Sequence, residues 1–290
     1  MSIRVGFVGF GEVASIFSAA LIKSGAEVWA YDALLCSVNG EETLIKRCRA
    51  DGIRFVPLPD LVAQVDYVFS TVTTTQCEVV AKEVSSLLRA GQTYIDLNST
   101  SADTQRTVHD IIGLSGADFV EGVILGAVGV NGADTKILLS GDHAERICGT
   151  LKAHGLNVTY YGTEIGKAST FKLLRSIFSK GMEALLLELC IAGSKADLHE
   201  ELWEDISLFM SKNRFEDVAT NWLLSHVVAC ERRFFEVRDV VKAMEALGVD
   251  PIMTSSTLRI FERSVSLGLN KAEERPSSIK SVIDNFTTGV

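Results

Sequence analysis

The spacing of apolar and polar positions changes along this chain, and the change divides it in two. Over residues 3–161, short apolar runs alternate with segments whose apolar positions recur every three or four residues, the pattern of strands alternating with helices. The runs fall at 3–8, 27–31, 53–56, 67–71, 93–97, 118–122, 136–140 and 157–161. Helices are predicted at 15–22, 38–50 and 76–88, with one or two helical turns at 59–65. From residue 163 onward the strand-like runs stop, and helical spacing continues to a polar tail near residue 271. The expected fold is α/β: a doubly wound domain over 1–163, then an all-helical domain over 164–290 that begins with a long interdomain helix.

The first run ends in Gly9-Phe10-Gly11-Glu12-Val13-Ala14, a G-x-G-x-x-A turn leading into a helical pattern. Each small residue has a physical role at a dinucleotide site. Gly9 permits the tight turn, Gly11 lets backbone approach a pyrophosphate, and Ala14 lets helix pack closely on strand. The helix start adds free N–H groups and a positive dipole end. A tight turn in some unrelated α/β protein has the same three small residues. What separates the two readings is Asp32, an acid closing the second strand about twenty residues on, where it can grip ribose hydroxyls.

Gly9, Phe10, Gly11, Glu12, Val13 and Asp32 are therefore expected to bind the cofactor. Asp32 favours NAD over NADP, since Ala33-Leu34-Leu35 supplies no arginine for a 2′-phosphate. Ala14 in place of a third glycine also suits NADP, which stays open. Ligands in such sheets bind beyond the carboxyl ends of strands. This places Thr71, Val72, Thr73 and Asn98 on the cofactor side and Ser99 and Thr100 beside the substrate. Ordinary loop and helix-cap chemistry accounts for the same polar clusters equally well.

Composition narrows the partners. The 290 residues are 47% hydrophobic and 22% charged, with net charge −9 and pI near 5.2. That balance argues against a nucleic-acid partner or a polybasic membrane anchor. The six cysteines contain no C-x-x-C pair and the five histidines lack ligand spacing, so no metal and no disulfide framework are expected. The apolar stretch 171–192 is broken by Lys172, Arg175, Lys180, Glu183 and Glu188, and reads as a buried helix rather than a membrane span. The chain enters its first strand at once, so a cytoplasmic protein is expected.

These residues resemble the β-hydroxyacid dehydrogenase family, which includes 3-hydroxyisobutyrate and 6-phosphogluconate dehydrogenases. The resemblance is carried by the glycine turn, by Asp96-Leu97-Asn98-Ser99, and by Glu121-Gly122-Val123-Ile124-Leu125-Gly126-Ala127. It is carried most of all by Gly162-Thr163-Glu164-Ile165-Gly166-Lys167-Ala168-Ser169-Thr170-Phe171-Lys172. The resemblance implies that Lys172 is the catalytic acid/base and that Gly126 borders the substrate. Residues 226–253 are similar to a divergent branch of the family with its own type of helical domain.

Three departures stand out. Where the family has an asparagine soon after its lysine, this chain has Arg175 and Ser176; the family's serine is Leu125; and the sugar-phosphate branch's glutamate is Ser179. Glu183 shares a helix face with Lys172 but lies about 16 Å along the axis.

The activity implied is NAD(P)-dependent hydride transfer between cofactor and a small β-hydroxy acid or related alcohol. A lysine held against apolar surface can have its pKa drawn down to serve as proton acceptor; an ordinary solvated helix lysine is the alternative. C=N reduction of the imine reductase type is a second reading, which Lys172 opposes. A non-catalytic nucleotide-binding or sensing protein is a third. Arg175 and Ser176 are substrate candidates, as are Arg232 and Arg233, whose guanidinium groups suit a carboxylate. Adjacent helical residues diverge by about 100°, so one arginine of the pair is expected at the site. A homodimer is the expected assembly. Phe17, Phe171 and Phe178 are expected in the core.

Overall fold

The computed structural model describes residues 2–271 and 274–287. The chain divides into two compact units, Met1–Ser176 and Ile177–Val290.

The first unit alternates strands and helices: β1 (Arg4–Val8), α1 (Glu12–Lys23), β2 (Glu27–Tyr31), α2 (Gly40–Arg47), β3 (Ile53–Phe55), α3 (Leu58–Gln64) and β4 (Tyr67–Ser70). It continues through α4 (Cys77–Ser85), β5 (Thr93–Asp96), α5 (Ala102–Gly113), β6 (Asp118–Leu125), α6 (Val128–Asn131), β7 (Lys136–Ser140), α7 (Ala144–Ala153) and β8 (Val158–Gly162). The glycine-rich passage after residue 121 does not break the strand: β6 runs through Gly122 to Leu125. A Cβ at Gly122 would lie 2.4 Å from the Leu97 side chain.

One eight-stranded sheet results, ordered β3-β2-β1-β4-β5-β6-β7-β8. Strands β1 to β6 are parallel, whereas β7 is antiparallel to β6 and β8 runs parallel to β7. Alternation along the strands feeds two cores. Val5, Phe7, Phe69 and Ile95 face one way onto α1 and α7, with Phe7 and Phe69 stacked at 5.2 Å. Val8, Val68 and Tyr94 face the other way onto α3, α4 and α5. A sheet covered on both faces explains why its strands read as nearly continuous apolar runs. The order reverses at β1, so the crevice beyond β1 and β4 is the topological switch point.

Helix α8 (Lys167–Lys195) begins in the first unit and continues into the second, which adds α9 (His199–Lys212), α10 (Phe215–Ala246), α11 (Ile252–Ser266) and α12 (Ile279–Thr287). Within the second unit, Val227, Cys230, Leu269 and Val282 form a small core with Phe261 and Phe286 against it. Glu188 caps α11, accepting from the Met253 and Thr254 N–H groups at 2.6 and 2.8 Å. Of the three phenylalanines expected inside, Phe17 is fully buried, but Phe171 and Phe178 are 38% and 52% exposed. Apolar residues nearly encircle α8, and Leu174, Leu187 and Ile191 among them are exposed.

Candidate active site

The turn after β1 is built for close backbone approach. Gly9 has φ +86°, and a Cβ there would stand 2.8 Å from the Thr71 carbonyl oxygen. Its N–H donates to the Tyr31 carbonyl at 2.8 Å, and its own carbonyl accepts from Thr71 Oγ1 at 2.6 Å. The space a Cβ would occupy at Gly11 is open. Helix α1 then starts without a side-chain cap, leaving first-turn N–H groups, including those of Glu12 and Val13, for an incoming anion. Ala14 is fully buried beneath them. The residues present thus fit a dinucleotide: an uncapped helix start with room above Gly11.

Asp32 orders the neighbouring rim. Its Oδ2 accepts from the Phe10 N–H at 2.7 Å and its Oδ1 from the Leu34 N–H at 2.9 Å. Each carboxylate oxygen keeps a further lone pair for a sugar hydroxyl. Phe10 itself is fully buried and meets Phe55 edge to face at 5.0 Å, so it contributes backbone rather than a stacking surface. Arg47, at the end of α2, donates to the Phe10 carbonyl at 3.3 Å. The sequence reading missed this cation at the glycine turn, because nothing in local spacing ties it to residues 37 positions earlier.

Beyond β4 and β5 lies a buried polar cluster. Asp96 Oδ1 accepts from the Asn98 N–H at 2.8 Å and Gln105 Nε2 at 3.1 Å. Its Oδ2 accepts from Cys77 Sγ and Asn98 Nδ2, both at 3.1 Å. Burial raises the Asp96 pKa, with these donors opposing it. Burial, then the nearby Asp96 charge, pushes the Cys77 thiol well up. Asn98 is 3% exposed and also donates to Ser70 Oγ at 2.8 Å. Its amide donors are therefore engaged inside the sheet edge, while its Oδ1 is buried with no partner. Thr100 likewise turns inward, accepting from Gln105 Nε2 at 2.8 Å. Thr71 closes on Gly9, Val72 packs beside it, and Thr73 is exposed.

Ser99, between the two buried residues, points outward, and Lys172 Nζ donates to its Oγ at 2.5 Å. Burial lowers the pKa of Lys172. Ser176 donates back to the Lys172 carbonyl at 2.9 Å, and Arg175 is exposed one turn beyond the lysine. Gly126, at φ +137°, opens the turn after β6. The structure thus joins Lys172 with Ser99 across 73 residues of sequence.

Arg232 and Arg233 belong to α10 of the second unit. Arg232 pairs with Glu236. Arg233 reaches Ser225 Oγ at 2.8 Å and the Trp222 carbonyl at 3.5 Å. Among the described residues no cluster of His, Cys, Asp and Glu is arranged to hold a metal, and no helix is long and apolar enough to cross a membrane.

Comparison with known proteins follows the same line. The family model for the NAD binding domain of 6-phosphogluconate dehydrogenase matches residues 4–162. A solved structure of a conserved protein of unknown function, reported as similar to 3-hydroxyacid dehydrogenases, is 31% identical. That alignment covers 93% of this chain and all of the other, with TM-score 0.60. The 2-(hydroxymethyl)glutarate dehydrogenase of Eubacterium barkeri is 22% identical over 99% of this chain and 96% of its own length. An imine reductase from Pseudomonas sp. shares the fold at TM-score 0.77 with 16% identity, covering 98% of this chain and 99% of that one.

Proposed function

This chain belongs to the family that carries the NAD binding domain of 6-phosphogluconate dehydrogenase, and we propose that it interconverts a small β-hydroxy acid with its carbonyl form. The observation that carries the reading is Lys172, an amine whose pKa is lowered by burial, 2.5 Å from Ser99 Oγ beyond β5. NAD supplies the acceptor or donor of the hydride. In the oxidative direction neutral Lys172 takes the proton from the substrate hydroxyl, while Ser99 orients that hydroxyl against the amine. In the reductive direction the lysine ammonium donates the proton to the forming alkoxide. Arg175, exposed one turn along α8, is the proposed contact for a substrate carboxylate.

A panel of β-hydroxy acids and of cyclic imines, followed by cofactor absorbance, tests the reading. Turnover of hydroxy acids supports it; turnover of imines alone would replace it. The likeness to imine reductases carries the fold and not the chemistry.

NAD(H) is expected to bind more tightly than NADP(H). A 2′-phosphate would be brought against the Asp32 carboxylate, and that repulsion is the stronger argument because Asp32 sits on the rim itself. Arg47, bonded to the Phe10 carbonyl beside it, is a charge that opposes it. Fluorescence titration with both reduced cofactors decides; tighter NADPH binding would transfer the selectivity to Arg47.

The proposed assembly is a homodimer. Leu187 and Ile191 of α8 are 61% and 53% exposed, as are Trp203 at 52% and Ile260 at 55%, more apolar surface than an isolated chain keeps in water. Sedimentation at micromolar concentration should return twice the chain mass. A monomer would count against the assembly.

A further inference from the structure

Two buried carboxylates stand side by side in the sheet. Asp96 of β5 and Glu121 of β6 are register partners, and both are fully buried. By strand alternation they leave the sheet on the same face as Tyr94 and Phe119. Burying a carboxylate is costly unless its oxygens are hydrogen-bonded. Placing two in adjacent register positions calls for a reason.

Each takes donors from one of the two segments that meet at Lys172, Asp96 accepting from Cys77 of α4 as well. The donors to Asp96 include the Asn98 N–H and Gln105, which pin the turn whose next residue is Ser99. Glu121 Oε2 accepts from the Gly166 N–H at 2.6 Å and its Oε1 from the Ser169 N–H at 2.7 Å. These are orphan donors at the start of α8, which helices ordinarily satisfy with a side chain from their own N-cap. Here the cap comes from a strand 45 residues earlier, and its charge complements the helix dipole. Gly166 is held at φ +92°, where a Cβ would lie 2.8 Å from the Ala102 Cβ, so the cap residue packs directly on the start of α5. Lys172 follows Ser169 by three residues, just under one turn.

We propose that Asp96 and Glu121 are paired positioning residues that set the Lys172–Ser99 contact, Asp96 by fixing the serine's turn and Glu121 by fixing where α8 begins and how it is rotated. The inference rests on the reading of Lys172 as the proton-transfer group for its catalytic consequence, but the contact is measurable without turnover. A helix turns 100° per residue, so a frayed or re-registered first turn carries the lysine off its serine and into water.

Glu121→Gln keeps the shape of the side chain while presenting an NH₂ group to one of two backbone donors. In this variant the titration midpoint of Lys172, followed by pH-dependent amine labelling and peptide mass spectrometry, should rise toward an ordinary lysine by roughly half to one pH unit. Amide exchange in the peptide containing Gly166 and Ser169 should accelerate about tenfold. Glu121→Asp keeps the charge but shortens the reach, and should give the same changes in smaller measure. Asp96→Asn should raise the midpoint without affecting exchange at the start of α8.

If Glu121→Gln does not fold, Glu121→Asp alone decides. A folded variant at Glu121 with native titration and native local exchange overturns the proposal, even if its melting temperature falls. Native Lys172 titration in Asp96→Asn overturns the role of Asp96. A perturbed titration in a protein that turns over no hydroxy acid would leave the positioning intact and remove the catalytic reading instead.

Discussion

Replacing Lys172 by alanine is expected to lower turnover about 10²–10⁴-fold, the usual worth of a positioned acid/base, and to leave cofactor affinity within a few-fold. The amine is bonded to Ser99, whereas the glycine turn and Asp32 lie along β1 and β2. Losing it therefore removes proton transfer and not the cofactor's seat. The pH dependence gives a second signature. Burial draws the Lys172 pKa below its ordinary 10.5, so the neutral base accumulates as pH rises through that lowered value. Oxidation should accelerate along that rise, and reduction, which needs the ammonium, should slow. Lys172→Arg keeps the charge but cannot surrender a proton in this range, and should be as slow as alanine for oxidation. Alanine activity within a few-fold of the native enzyme would remove Lys172 from the mechanism.

The second large effect belongs to the glycine turn, where Gly9 and Gly11 should respond to the same substitution in different ways. Gly9→Ala forces a side chain into a positive-φ conformation, a cost of about 1–2 kcal/mol, and sets its Cβ 2.8 Å from the Thr71 carbonyl. That oxygen belongs to backbone and cannot swing aside. We expect the melting temperature to fall and NAD(H) to bind at least about tenfold more weakly, because a turn displaced from Thr71 withdraws its backbone N–H groups from the pyrophosphate; a factor of ten corresponds to about 1.4 kcal/mol. Gly11→Ala meets open space in the free protein, and its backbone lies at φ −90°. Its melting temperature should stay native while NAD(H) affinity falls, because the new methyl occupies the room a pyrophosphate needs. Calorimetric titration beside thermal melts separates the two. Undiminished affinity in Gly11→Ala would mean the cofactor does not lie on this turn.

Much of the fold was legible because the doubly wound sheet writes itself locally. The runs inside the sheet are strands buried on both faces, the edge strands β3 and β8 being part exposed, and the turn at Gly9 and the acid at Asp32 stand at fixed offsets from the ends of theirs. All eight runs became strands, and Ile165-Gly166-Lys167 was placed correctly at the start of a helix. What stayed hidden depends on contacts between distant segments. Nothing near Glu121 in sequence announces that it caps a helix 45 residues later. Nothing near Asn98 says that its amide turns inward to Ser70 rather than outward. The tail beyond residue 271 read as polar, yet Ile279, Val282, Ile283 and Phe286 follow helical spacing. That signal was present, and α12 obeys it, with Val282 buried and Phe286 5.8 Å from the His226 ring. The exposed Phe171 and Phe178 show the opposite failure: an apolar residue type was taken to mean burial.

The last two strands decide where the lysine's helix begins. Strands β7 and β8 run opposite to β1–β6, yet Val8, Ser70, Asp96, Glu121, Ser140 and Gly162 share one register row across the sheet, so β8 ends level with the last residue of β1. Helix α8 starts from that row, where the Gly166 N–H donates to Glu121. It passes Glu121 partway along β6 and brings Lys172 level with Ser99, beyond the end of β5. A protein trimmed to the six parallel strands would keep the glycine turn and Asp32 and lose the row from which Lys172 reaches Ser99.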